Sequence, residues 1–192
     1  MTSVTGDPGV PGGPVVPGAR GDVVDLADLG ELSVEEGAAR VIALLIAQRS
    51  TLAVAESLTG GLLLSTLIAV PGASAAVRGG VVAYASDLKT SLLGVDAELL
   101  SRRGAVDAEV ARQMARGVRD RLGATYGVAT TGVAGPDPQD GQPVGRVLLG
   151  WCAPAGREFS RDLDLAAEGG RNGVRRAAVA EAVTLILASL AV

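Results

Sequence analysis

A serine and a lysine carry the chemistry this chain could perform. Ser57 lies in Ala55-Glu56-Ser57-Leu58-Thr59-Gly60-Gly61, after a short β-leaning run, Thr51-Leu52-Ala53-Val54, and before an apolar run from Leu62 to Val70 that Pro71-Gly72 stops. That pattern predicts strand, tight turn and helix, with the hydroxyl at the carboxyl edge of a sheet, where α/β sheets place their ligand sites. The free N–H groups of the following helix are then expected to face whatever docks there. A Ser/Thr N-cap with glycines for the turn would give the same pattern without chemistry. Lys89 is set apart by scarcity: of 17 basic residues, sixteen are arginine and it is the one lysine. Histidine is absent, so a serine nucleophile needs another base. A desolvated lysine can give up its proton where arginine cannot, and Ser-Lys pairs are a known form of the nucleophile–base arrangement.

The elements that must position these two follow from periodicity and caps. Ser33-Val34-Glu35-Glu36 has the form of a capping box. Val34, Ala38, Val41, Ile42 and Leu45 then keep helical spacing, which predicts a helix over about 34–49. Gly79 to Tyr84 reads as a second strand, and Ala85 to Val95 as a short helical turn leading into a loop. Tyr84 and Lys89 thus fall near the carboxyl end of a strand, as Ser57 does. Asp107 is placed to cap a helix to about Leu122, with Val110, Met114, Val118 and Leu122 on its apolar face. Ala124 to Thr130 is a third strand, running into a long loop, Thr131 to Pro143. Val144–Ala153 and Glu158–Leu165 lean β across a short connection, an antiparallel hairpin. Gly169 to Gly173 opens a last helix, about 174–190, apolar most of the way round apart from Arg175, Arg176, Glu181, Thr184 and Ser189. Such a helix is buried in the domain or against another subunit. The expected fold is a three-layer α/β/α sandwich with a mixed, mainly parallel sheet and a C-terminal antiparallel hairpin.

Composition bounds the rest. The 192 residues suit one ordered domain over 33–192, preceded by a Pro/Gly-rich tail and linker over 1–32 that is expected to be disordered. Hydrophobic residues make up 48% but aromatic ones only 2%, so the core must be built from Ala, Val, Leu and Ile. A net charge of −4 argues against non-specific nucleic-acid binding. With one cysteine, Cys152, and no histidine, neither an internal disulfide nor a zinc site of the usual ligands is expected. No signal peptide or membrane span is evident, which makes a cytoplasmic protein the expectation. The apolar last helix suggests a homo-oligomer, a homodimer in the simplest case.

Taken together, the Ser57 segment, Tyr84 with Lys89 and Leu92-Leu93-Gly94-Val95, Thr131-Gly132-Val133-Ala134-Gly135-Pro136, Pro143-Val144-Gly145, and Arg171 resemble the CinA C-terminal domain family. The match covers about 34–191, and Leu58 stands where members commonly carry cysteine. That family includes PncC-like nicotinamide mononucleotide amidohydrolases of pyridine nucleotide salvage. The resemblance implies hydrolysis of the carboxamide of nicotinamide mononucleotide to nicotinate mononucleotide and ammonia, with no cofactor. It implies Ser57, Tyr84 and Lys89 as catalytic positions, and Thr131, Gly135 and Arg171 as substrate-binding ones. In physical terms, neutral Lys89 would take the Ser57 proton as the serine oxygen attacks the amide, and the amides of Thr59, Gly60 and Gly61 would meet the oxyanion. Tyr84 would relay a proton or fix the lysine. The amine must first be deprotonated from an ordinary pKa of ~10.4, which burial can bring about. Glu56 precedes Ser57 on an extended segment, so its side chain should leave by the opposite face and act structurally rather than as the base. An alternative from another class is a catalytically silent nucleotide-binding module that keeps the glycine turn and Arg171 only to hold a phosphorylated ligand.

Overall fold

A computed structural model describes residues 32–191. The tail and linker expected over 1–32 lie, apart from Leu32, outside the described residues. In chain order the elements are α1 (Val34–Ala47), β1 (Leu52–Glu56), α2 (Leu62–Ile68), β2 (Val77–Val82), α3 (Ser86–Leu93), α4 (Ala97–Arg103), α5 (Ala108–Leu122), β3 (Tyr126–Gly132), β4 (Arg146–Cys152), β5 (Glu158–Asp164) and α6 (Gly170–Leu190). They form a five-stranded sheet in the order β2-β1-β3-β4-β5. β1 pairs in parallel with β2 and β3, and β4 pairs antiparallel with β3 and β5. The expected mixed sheet between two helical layers is therefore the observed one. The capping box at α1 is present in both directions, Glu36 N–H donating to Ser33 Oγ and Ser33 N–H to the Glu36 carboxylate. Asp107 caps α5 by accepting from Glu109 and Val110.

Alternation along β1 divides the two cores. Leu52 and Val54 pack among α1, α2 and α6, whereas Ala53 and Ala55 pack among α3, α4 and α5. On the α5 face of the sheet two strand positions are glycine. A Cβ added at Gly127 or Gly150 would lie 2.0 Å from the Ala115 or Ala111 carbonyl oxygen of α5. Glycine at these strand positions lets the helix backbone bed directly on the sheet. On the other face the larger residues gather, including Trp151, whose ring stacks on Tyr126 at a centroid distance of 5.2 Å.

α6 is buried within this same domain. Val174, Ala178, Val179, Ala182, Val183, Ile186, Leu187 and Leu190 all join the core shared with α1, and Gly37 of α1 gives Val183 room, since a Cβ there would come within 2.7 Å of its Cγ1. The apolar character that suggested a second subunit is satisfied inside the monomer, so this helix supplies no ground for a homodimer. Among the described residues no helix is long and apolar enough to cross a membrane.

Candidate active site

The alternation that sends Leu52, Val54 and Glu56 to one face sends Ser57 to the other, at the carboxyl end of β1. The parallel ladder continues one step beyond the strand, Ser57 N–H donating to Thr130 O at 3.0 Å and Ala83 N–H to Glu56 O at 2.9 Å. Both neighbouring strands thus hold the backbone around the serine. Lys89 comes from the second turn of α3, immediately after β2, and folds back over that strand's end. Its Nζ donates to Ser57 Oγ at 3.1 Å, to Ala83 O at 2.8 Å and to Tyr84 O at 3.4 Å.

Lys89 is 1% exposed and Ser57 9%. Burial holds the lysine amine below the ordinary range, and the carboxylates of Asp140 and Asp87 pull it the other way. No carboxylate lies within ion-pair distance of Nζ among the described residues. The polar partners of the amine are a hydroxyl and two carbonyls, which suit a lysine that can lose its proton.

A pocket of about 110 Å³ opens over this pair. Six of the nine residues expected at the site line it: Ser57, Tyr84, Lys89, Thr131, Gly135 and Arg171. Their detailed roles differ from expectation in places. Tyr84 is 59% exposed and its phenol accepts from Arg171 Nη2 at 2.9 Å, while it is the Tyr84 carbonyl that meets Lys89. Arg171 also donates through Nη1 to Gly135 O at 2.7 Å, so it ties the β2–α3 connection to the long loop. Thr131 is 1% exposed and its hydroxyl donates to Ala105 O at 2.8 Å, joining β3 to the segment before α5.

Thr59, Gly60 and Gly61 do not line the pocket. Thr59 is fully buried, its Oγ1 2.6 Å from Thr130 Oγ1, a contact that fixes the turn to β3. Gly60 N–H closes the turn onto Ser57 O at 3.1 Å, and Gly61 N–H is taken by Glu56. The expectation that the first amides of α2 face a ligand is therefore corrected. The Glu56 carboxylate, 1% exposed, accepts from Gly61 and Leu63 through Oε2 and from Leu64 through Oε1. A buried anion on the helix side of the sheet uses those donors before any ligand could. The Glu56 side chain lies on the face opposite Ser57, as alternation predicted.

Three contributors went unread in the sequence. Asp137 and Gln139 of the long loop line the pocket mouth. Arg175 grips the carbonyls of the Ser57 turn from α6. The available signal for Arg175 was its spacing of four from Arg171, which places both on one face of the helix.

The CinA C-terminal domain family model matches residues 34–190 of the chain. The chain belongs to the CinA C-terminal domain family. A CinA-like protein of Frankia casuarinae is 53% identical over 151 residues, which is 79% of this chain and 34% of that protein. A CinA-like protein of Gloeobacter violaceus is 50% identical over 145 residues, 75% of this chain and 34% of that protein. The chain thus spans about a third of the length of these curated relatives. Among solved structures, the competence/damage inducible protein CihA of Agrobacterium tumefaciens superposes with a TM-score of 0.77 at 37% identity, over 81% of this chain and 94% of that one. A competence or damage-inducible protein of Enterobacter asburiae superposes with a TM-score of 0.79 at 30% identity, over 83% and 99%.

Proposed function

We propose that this chain hydrolyses the carboxamide of nicotinamide mononucleotide, with Ser57 as nucleophile and Lys89 as its base. The observation that carries the reading is the 3.1 Å approach of a buried lysine amine to the Ser57 hydroxyl, in a chain with no histidine. Neutral Lys89 takes the hydroxyl proton as Ser57 Oγ forms a bond to the amide carbon, and the carbonyl electron pair moves to oxygen. Collapse of that intermediate breaks the C–N bond, and the proton held by Lys89 leaves with ammonia. Water, deprotonated by the same amine, then releases nicotinate mononucleotide from the serine.

The choice of amide follows the family resemblance and is supported by the shape of the site. A pocket of about 110 Å³ is small beside the ~300–1,000 Å³ of most ligand sites, so it suits a carboxamide head with the rest of the nucleotide outside. Arg171 stands exposed at the rim with N–H donors left over for a phosphate. The test is ammonia release over a panel of nicotinamide nucleotides and free nicotinamide, with Ser57→Ala as the control. Turnover of the mononucleotide that Ser57→Ala abolishes is the expected result. Tight binding with no ammonia would replace the enzyme by a nucleotide-binding module.

The base reading also fixes a pH dependence. Activity requires the neutral amine, so kcat/KM rises with pH through the lowered Lys89 pKa. Asp140 favours the ammonium form. Asp140→Asn therefore moves this rising limb to lower pH, by a fraction of a pH unit, and more at low salt than at high. An unmoved limb, or one displaced to higher pH, would show that another group controls it.

A further inference from the structure

The turn that carries Ser57 is held from outside by Arg175. Its Nε donates to Leu58 O at 3.1 Å and its Nη2 to Thr59 O at 2.9 Å, while Nη1 reaches Asn172 Oδ1 at 3.3 Å. Leu58 and Thr59 are the two central residues of the turn that Gly60 N–H closes onto Ser57 O. Gly60 has φ 60°, and a Cβ added to it would stand 3.5 Å from Arg175 Nη2, so the guanidinium lies close against the outer side of the turn. Arg175 has no carboxylate within ion-pair distance among the described residues. Its charge is spent on neutral oxygens, two of them successive backbone carbonyls. A planar fork on such a pair fixes the orientation of the turn's peptide groups more tightly than a single point charge would.

Two backbone donors of the turn, Leu58 N–H and Thr59 N–H, have no acceptor among the described residues. Ser57 N–H is used by Thr130, Gly60 N–H by Ser57, and Gly61, Leu63 and Leu64 N–H by Glu56. Of Leu58 and Thr59, Thr59 does not line the pocket. Leu58 N–H has no acceptor among the described residues, and Leu58 lines the pocket beside Ser57. This N–H belongs to the residue that follows the nucleophile, where a backbone donor can meet the oxygen that becomes charged on attack.

We propose that Arg175 is a positioning residue that clamps the Ser57–Gly60 turn so that Leu58 N–H serves as the oxyanion donor. This rests on Ser57 being the nucleophile, and the experiment separates the two claims. A fluorophosphonate reports on Ser57 without any choice of amide. The Oγ–P bond forms, fluoride leaves, the serine proton passes to Lys89, and the phosphoryl oxygen takes the place of the oxyanion. Arg175→Ala is expected to lower the labelling rate by ~10²-fold, to leave its pH midpoint where it is in the unsubstituted protein, and to lower kcat with little change in KM. Arg175→Lys retains the charge and the stem but lacks the fork. It is expected to label at least ~10-fold more slowly than the parent chain, and it carries the test if the alanine variant does not fold. Parent-like labelling in either folded variant overturns the clamp, as does a shifted pH midpoint, which would place the effect on Lys89. A parent chain that labels at Ser57 but releases no ammonia from the mononucleotide sinks only the choice of substrate. A parent chain that does not label there sinks the nucleophile and the clamp together.

Discussion

Lys89→Met is expected to reduce ammonia release by about 10³–10⁴-fold, the upper range for losing a general base, while the protein still folds. Methionine matches the length of the lysine stem and carries no proton to exchange. Lys89→Arg makes the same point with the charge retained, but the lysine is 1% exposed, and a guanidinium that cannot shed its proton is costly at such a site. The methionine variant is therefore the cleaner of the two. It costs the hydrogen bonds to Ala83 O and Ser57 Oγ, a loss of about 1–3 kcal/mol, and no charge is left unpaired. A second readout comes from linkage. Because burial lowers the folded-state pKa of Lys89, the unfolded chain binds the extra proton between that lowered value and the ordinary ~10.4. Unfolding free energy of the parent chain therefore rises with pH across that window, by up to about 1.4 kcal/mol per pH unit, and below it the buried ammonium lowers stability by an amount that no longer varies with pH. Lys89→Met lacks this increment. Urea melts of both proteins over the window would show the difference widening as pH rises. Parallel curves together with near-parent turnover in Lys89→Met would remove the base from the mechanism.

The sequence pointed to the candidate site because the residues proposed for its chemistry are few and the exclusions are strong. Absent histidine and a single lysine leave few ways to activate Ser57, and alternation along β1 separates Ser57 from Glu56 without any tertiary information. The helices with long apolar faces or recognisable caps, α1 and α5, were legible for the same reason. α4 was missed because seven residues, Ala97 to Arg103, are too few for a period to emerge, and its Asp96 cap follows Gly94-Val95 in what looked like loop. The Asp96 carboxylate accepts from Glu98 and Leu99 at 2.8 and 3.2 Å. The strand order was not legible, since nothing local says that β3 inserts beside β1 while β2 takes the edge. Arg175 belongs to the same class: its acceptors lie 116 and 117 residues away in the chain. A polar interruption in an apolar helix says where a side chain is, and only the assembled fold says what it holds.

The competition for the amides of α2 has a measurable consequence at Glu56. Glu56→Ala is expected to destabilise the domain by about 3 kcal/mol, because it orphans three partly or fully buried N–H groups at ~1–3 kcal/mol each, offset by whatever water enters. The carboxylate accepts from Gly61, Leu63 and Leu64 at 2.9, 3.1 and 2.8 Å. It has no cationic partner among the described residues, so these donors and the positive end of the helix are what make its burial tolerable. For a domain of this size the loss corresponds to a fall in Tm of roughly 6–12 °C. Glu56→Gln keeps the shape but turns an NH₂ group toward N–H donors, and should lie between the alanine variant and the parent. Activity per folded molecule should fall far less than in Lys89→Met, because Ser57 stays anchored by Thr130, Gly60 and Arg175 rather than by α2. If instead Glu56→Gln melts like the parent while turnover collapses to the Lys89→Met level, then the carboxylate acts in the reaction, and the division of labour across β1 is wrong.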